Sequence, residues 1–244
     1  MEAYRSTINE LLENGYAEQV PRDEHQAPIG SVWYLPHHPV YNVNKPEKIR
    51  VVFDCAATYK GVSLNDRVLQ GPDLTNKLVG VLLRFREERI AIMADIEAMF
   101  HQVGVTKSHR DVLRFLWWPQ GNVDASSQTY RMKVHLFGGV WSPSCCSFAL
   151  RRTAADNKSN FHEDVKNAVE RNFYVDDCLK SVEDEQKAIW MVAQLSQLLM
   201  LDGFKLTKWT SNSRRVRRAF QTNIGQVRLE VGTFFLMNYQ LSER

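Results

Sequence analysis

Residues 172–185 read NFYVDDCLKSVEDE. An apolar run, Phe173–Tyr174–Val175, meets two adjacent acids, Asp176 and Asp177, and turns apolar again at Cys178–Leu179. The pattern predicts a tight hairpin with the acids at or near its turn. Neighbouring carboxylates repel each other, and crowding them costs energy unless a cation sits between them. Mg²⁺ suits that place, because it takes oxygen ligands and binds through one or two carboxylates plus substrate phosphates. A third carboxylate from another strand would complete a two-metal site of the kind used in phosphoryl transfer. The competing reading is an ordinary solvated Asp–Asp turn, and the dipeptide alone favours it.

Asp95, in IAIMADIEAMFHQV, is the candidate third acid. It closes the apolar run Ile90–Ala94, which reads as a buried strand. An acid there is costly unless it has a partner or a task; the competing reading is a strand-end Asp capping the next turn. Glu97 lies two residues on and would share its face if the strand continued.

Around these acids the order of elements is mixed. Residues 3–15 read as an amphipathic helix ending at Gly15. The two prolines of GSVWYLPHHPVYNV make it an edge strand or extended segment, and KIRVVFDCAA reads as a strand. In DLTNKLVGVLLRFREER, Leu74, Leu78, Val81, Leu82 and Phe85 fall at helical spacing, with Asp73 as the N-cap. VLRFLWW and YRMKVHL are expected to be two strands around the polar loop Pro119–Thr129. Ser142 and Pro143 are placed to cap and open a helix over WSPSCCSFALRRTAADN. Residues 184–201 form a helix with Ile189, Val192, Leu195 and Leu199 inward and Gly203 as its stop. FKLTKW alternates as a strand. Helices and strands without strict alternation predict an α+β fold rather than a doubly wound sheet.

The chain has 244 residues, of which 44% are hydrophobic, enough for one large domain or two small ones. No apolar run approaches the roughly 18 residues of a membrane span, and the N-terminus lacks the pattern of a secretory signal. Cys55, Cys145, Cys146 and Cys178 show neither metal-ligand spacing nor a disulfide framework. A reducing compartment, cytoplasm or nucleus, fits. Net charge is only +3, but residues 201–220 hold six basic residues (Lys205, Lys208, Arg214, Arg215, Arg217, Arg218) against one acid, Asp202. Such a surface suits a polyanion, and a solvated helix face explains it equally well. No P-loop or Rossmann glycine run, G-x-S-x-G or H-E-x-x-H motif occurs.

Taken together, RVVFD, ADIEAMFHQV, LFGGVWSP, YVDD and GFKLTKW stand in the order and rough spacing of reverse transcriptase motifs. The chain resembles the reverse transcriptase region of BEL/Pao-type LTR retrotransposon polyproteins, with WYLPHHPVYN, SLNDRVLQGPDL and LRFLWW as further points of likeness. The resemblance runs from Tyr4 to Asn212. It implies a right-hand polymerase fold, with fingers and palm interleaved over 1–212 and the start of a truncated thumb over 213–244. It implies the antiparallel palm sheet to be backed by helices, and the chain to be a piece of a longer polyprotein.

By that resemblance Asp95, Asp176 and Asp177 match the three metal-binding aspartates, holding two Mg²⁺ ions (or Mn²⁺). Glu97 falls outside the catalytic set. Phe100 matches the steric gate that excludes a ribose 2′-hydroxyl, or serves as a core residue, or both. Lys45 and Arg50 match the residues that contact the triphosphate, with Lys48 a competitor for the Lys45 role. Phe137–Gly138 stands where many relatives have Gln–Gly, so a polar contact to the nucleotide is missing, while Gly138 permits close backbone approach. Lys208 resembles a lysine proposed to protonate the leaving pyrophosphate. The implied partners are an RNA or DNA template with its primer and a dNTP, with no membrane. The implied setting is the cytoplasm, a virus-like particle or the nucleus. Two other readings stay open: an inactive transposon-derived fragment that folds and binds nucleic acid without polymerising, and a host-recruited binding module built on the same scaffold.

Overall fold

The computed structural model describes residues 2–28, 30–42 and 45–220, with no side chains described at 42 and 45–48. Most of the expected thumb segment, 213–244, lies outside them. The chain divides into two compact units that interleave in sequence: Met1–Asp73 with Phe100–Cys146, and Leu74–Met99 with Ser147–Arg244. Both combine helices with antiparallel strands, so the fold is α+β.

In the first unit, helix α1 (Glu2–Glu13) and strand β1 (Ala17–Gln19) precede a hairpin of β2 (His37–Asn42) and β3 (Lys45–Phe53). Among the described residues β2 pairs only with β3, which agrees with an edge strand carrying Pro39. β5 (Arg114–Trp117) and β6 (Gln128–Met132) pair as expected, and β1 joins them to give the order β1-β6-β5. One face of this sheet feeds an aromatic core of Phe53, Phe115, Trp117, Tyr130 and Trp141.

The other face carries a charged row that the sequence does not announce. Glu18 pairs in register with Arg131, and Arg131 with Arg114. The two arginine side chains are only 2% and 1% exposed. Arg131 donates to Glu18 at 2.8 Å and Asp111 at 3.0 Å, and meets Glu24 at 2.6 Å. Arg114 donates to Asp111 at 2.9 Å and to the Glu24 carbonyl at 2.6 Å. Burial works against the Arg131 charge, but bonds to Asp111, Glu18 and Glu24 outweigh it and hold its pKa above the ordinary guanidinium value. Adjacent like charges survive here because each fork meets several acceptors.

In the second unit, β7 (Phe173–Tyr174), β8 (Asp177–Val182), β4 (Ile90–Ile96) and β9 (Leu206–Ser211) form one antiparallel sheet in the order β7-β8-β4-β9. Helices α2 (Leu78–Phe85), α4 (Glu163–Arg171) and α5 (Glu185–Met200) belong to the same unit, and α3 (Ser142–Asp156) reaches it from the first. α5 is capped by Asp184, whose carboxylate accepts from Lys187 N, and ends where Gly203 takes φ 83°. Its buried stripe is Ala188, Met191, Val192, Leu195, Leu198 and Leu199, with Ile189 only half-buried.

Several expectations need correction. α2 begins at Leu78, with Lys77 rather than Asp73 at the N-cap. The preceding residues are held in non-helical form by other bonds. Asn76 Nδ2 donates to the carbonyls of Glu170 and Phe173, and Arg151 donates to that of Leu74. α3 starts at Ser142 itself, and among the described residues the buried Ser142 hydroxyl has no hydrogen-bond partner, so it caps none of them. β4 is half-buried rather than buried: Ile92, Ala94 and Ile96 face inward while Met93 is exposed. α4 was not anticipated. His162 caps it, accepting from Asp164 N, and Val165, Ala168 and Val169 supply its inward face.

Replacing Arg131 by Ala should cost about 3 kcal/mol of unfolding free energy, because Glu18, Glu24 and Asp111 lose their shared cation. Lys should restore only part, since it lacks the planar fork. Urea denaturation of the three proteins measures this, and an Ala variant as stable as the parent would show the row to be ornamental.

Candidate active site

The expected hairpin is present. Tyr174 pairs with Asp177 and Phe173 with Cys178, leaving Val175 and Asp176 as the two turn residues. Val175 takes φ 55°. Hairpin turns of this length favour positive φ at the first central position, usually supplied by Gly or Asn. A β-branched residue there is strained, at a cost on the order of 1–3 kcal/mol. The turn is tied to the central strand by Ile96 N, which donates to the Asp176 carbonyl at 2.9 Å.

β4 then sets the third acid. Its register with β8 runs from Ile90↔Val182 to Asp95↔Asp177, so Asp95 and Asp177 are direct cross-strand partners. Strand alternation turns Ile92, Ala94 and Ile96 inward and leaves Asp95 on the opposite face with Met93. Like charges directly opposite each other destabilise a strand pair. The Asp177 carboxyl responds: partial desolvation first, then the charges of Asp176 and Asp95, hold its pKa above the usual carboxylate value, while Lys208 pulls the other way.

Lys208 reaches this face through a defect in β9. Met93 pairs with Thr210 but Asp95 pairs with Thr207, so β9 has one residue more than β4 over this interval. The extra residue is a β-bulge, and Lys208 within it takes φ 55°. Its ammonium lies 2.9 Å from Asp95 Oδ1. The hydrogen bond to Asp95 raises the Lys208 pKa, with the charges of Asp95, Asp176 and Asp177 adding to it. Glu97 lies past the end of β4 and is paired with Lys205. Asn212, not anticipated as structural, closes the far end of β4: it accepts from Ala91 N and donates to the Arg89 carbonyl.

The other expected site residues fall in the first unit and form their own group. Arg50, on β3, sets its guanidinium 5.7 Å from the centre of the Phe137 ring. Phe137 in turn meets Phe100 edge to face at 4.6 Å. Phe100 is buried, at 7% exposure, and Phe137 is 41% exposed. Gly138 takes φ 98°, and a Cβ there would stand 3.0 Å from the Phe53 carbonyl oxygen. Its close approach is therefore to this chain's own backbone, and its carbonyl accepts from Asn65. Lys45 starts β3, but its side chain, like that of Lys48, is outside the described residues.

No protein-family profile matches the sequence, and no curated protein is similar enough to count as a relative. Solved structures do resemble it. The foamy viral protease-reverse transcriptase in complex with RNA/DNA hybrid aligns with a TM-score of 0.62 at 17% identity, over 86% of this chain and 24% of that one. The foamy viral protease-reverse transcriptase dRH in complex with ds DNA aligns at 0.61 and 17% identity, over 84% of this chain and 30% of that one. A selenomethionine-labelled mutant of the Prototype Foamy Virus enzyme gives 0.61 at 18% identity, covering 84% and 23%. The chain thus spans about a quarter to a third of these proteins, and what it shares with them is a reverse transcriptase-like fold.

Proposed function

We propose that this chain is the fingers and palm of an RNA-directed DNA polymerase from a BEL/Pao-type retrotransposon, joining a dNTP to a primer 3′-hydroxyl. The observation that carries the reading is the pairing of Asp95 with Asp177, beside Asp176 in the turn. Within a reverse transcriptase-like fold, three carboxylates at one sheet end are what nucleotidyl transfer needs. Nucleic acid in the foamy viral complexes supports a template and primer as partners.

The donor chemistry fits Mg²⁺, or Mn²⁺ in its place, because the three groups offer hard carboxylate oxygens and repel one another without a cation. Among the described residues, no three acid, imidazole or thiol side chains are drawn into a closed metal-binding group, and Lys208 sits on Asp95. Asp95 and Asp176 would be the principal ligands once Lys208 turns away, with Asp177 nearer the primer end. Bound Mg²⁺ supplies charge neutralisation and activation of the attacking hydroxyl.

The chain's own residues do the rest. Arg50 offers a planar fork to the triphosphate, with Lys45 as a second positive charge. Phe100 under the sugar excludes a 2′-hydroxyl. Lys208, once turned away from Asp95, is the ammonium that passes a proton to the leaving pyrophosphate. Template grip is mainly to the backbone and so falls with salt.

Primer extension on an RNA template with Mg²⁺ and dNTPs, at low salt, tests the whole reading. The parent should extend, and the Asp176→Asn/Asp177→Asn double variant should lose about a thousandfold or more. Equal extension by both would place the chemistry elsewhere. No extension by a parent that still binds template would favour the inactive fragment.

Carboxylate repulsion predicts a second result. A carboxyl with a raised folded-state pKa stabilises the fold only while protonated, and that contribution is lost as pH rises through the raised value. Without metal, Asp177→Asn should therefore be more stable than the parent at pH 7, by up to about 1 kcal/mol. The gain should vanish below the ordinary carboxylate range. Mg²⁺ should stabilise the parent and not the variant. Thermal melts at both pH values decide, and a destabilised Asn variant at pH 7 without metal would contradict the like-charge account.

A further inference from the structure

The first unit holds a groove of about 960 Å³ that no part of the site above uses. Three aromatic side chains line it, Trp33, Tyr34 and Tyr59, and aliphatic ones, Val62, Val68 and Val112 among them, make up much of the rest. Two cations, Lys60 and Arg67, line it as well, and no acid does. The nearby backbone is largely committed. Trp33 N donates to the Asp111 carbonyl and its own carbonyl accepts from Arg114 N, both at 3.1 Å, while Leu35 N donates to the Arg114 carbonyl at 2.7 Å. Tyr59 N donates to the Val62 carbonyl at 2.8 Å and Val62 N to that of Tyr59 at 3.2 Å, which closes a two-residue hairpin. Its central residues, Lys60 and Gly61, take φ 51° and 78°, as a type I′ turn demands. Lysine is a strained choice there, and the turn holds its ammonium 5.3 Å from the centre of the Tyr59 ring.

With the main chain so engaged, the groove offers a visitor ring faces and polar tips. Tyr59 is 66% exposed and Tyr34 45%. Among the described residues the Trp33 indole N–H and the Tyr34 and Tyr59 hydroxyls have no hydrogen-bond partner, so three donors are open. A polyproline II segment answers each feature. It makes no internal hydrogen bonds, so its carbonyls seek donors, and its proline rings lie flat on aromatic faces. Being stiff beforehand, it loses little entropy on docking. Acids flanking the prolines would meet Lys60 and Arg67. Other chains fit less well. An added strand needs an open main-chain edge, and an amphipathic helix keeps its own carbonyls bonded and docks through aliphatic anchors. A polynucleotide needs a file of cations along its backbone, which two cations in a largely apolar groove do not supply.

We propose that this groove docks a proline-rich segment of another protein, with prolines on the rings of Trp33, Tyr34 and Tyr59 and a flanking carboxylate against Lys60. The inference goes beyond polymerisation, since docking here requires neither the three aspartates nor metal. Fluorescence anisotropy on the full chain tests it, without Mg²⁺, dNTPs or nucleic acid. The probe is a labelled peptide of Leu–Pro–Pro repeats over four turns, about twelve residues, with glutamates at both ends. Tyr59→Ala should weaken binding by about 5- to 30-fold, and Tyr59→Phe by only about 2- to 10-fold, the loss of one hydroxyl. Lys60→Gln should weaken the glutamate-ended peptide at low salt and leave a glutamine-ended one unaffected. The same peptide with alanine for every proline should bind at least about tenfold more weakly. Asp176→Asn/Asp177→Asn should bind the peptide as the parent does, so failure of the polymerase reading and failure of the groove are read separately. Equal binding of the proline and alanine peptides, parent-like affinity in both Tyr59→Ala and Lys60→Gln, or no binding up to about 1 mM peptide would overturn the proposal. Labelled oligo-dT that loses affinity in Tyr59→Ala, where the peptide does not bind, would give the groove to nucleic acid instead.

Discussion

The pairing of β4 with β8 fixes more of this protein's chemistry than any other contact. Its register sets Asp95 opposite Asp177, and a slip of one residue would turn Asp95 and Met93 inward and put Ile92, Ala94 and Ile96 on the outer face. The register is therefore held by burial on one face while it imposes repulsion on the other. The inward face, together with the buried stripe of α5, supplies the favourable term. The acids are the cost of that alignment, and they persist because the rest of the sheet over-determines it.

Irregular backbone gathers at the same end of the sheet. Val175 and Lys208 both take positive φ, one in the hairpin turn and the other in the β9 bulge. Neither is glycine, so both carry strain that a freely chosen sequence would avoid. In a regular β9, alternation would fix which face each side chain takes. The bulge breaks that alternation next to Asp95, and the Lys208 ammonium comes to it. The two irregularities thus bring three negative charges and one positive charge to a single edge.

What could be read from the sequence follows from the range of the interaction involved. The α5 stripe, its stop at Gly203 and the YVDD hairpin rest on periodicities of a few residues, and they were legible. α4 was missed because Val165, Ala168 and Val169 are sparse among charges, and its cap is a histidine rather than one of the usual residues. The start of α2 was misplaced because Asn76 and Leu74 answer to groups 94 and 77 residues away. The Glu18–Arg131–Arg114 row was invisible for the same reason. Arginines in a strand suggest an outward face until the acids that neutralise them are known to lie across it. The hairpin that puts Asp176 and Asp177 at its turn was legible, but the hold of Lys208 on Asp95 depends on a bulge that no local pattern marks.

The place where the sequence departs from its resemblance also acquires a physical sense. Phe137 stands where a glutamine was expected, and that substitution removes a polar side chain. It also gives Arg50 a ring face to rest on and Phe100 an edge to pack against. Among the described residues Arg50 has no carboxylate partner. An arginine held by a carboxylate gives up much of its charge and its fork to that partner. One held by an aromatic ring keeps both available, since cation–π attraction uses the face of the guanidinium and leaves its in-plane donors free. The same ring that orients Arg50 also fixes Phe100. Any substitution at Phe137 would therefore disturb the Arg50 guanidinium and the buried aromatic together, a coupling that a glutamine at this position would not create.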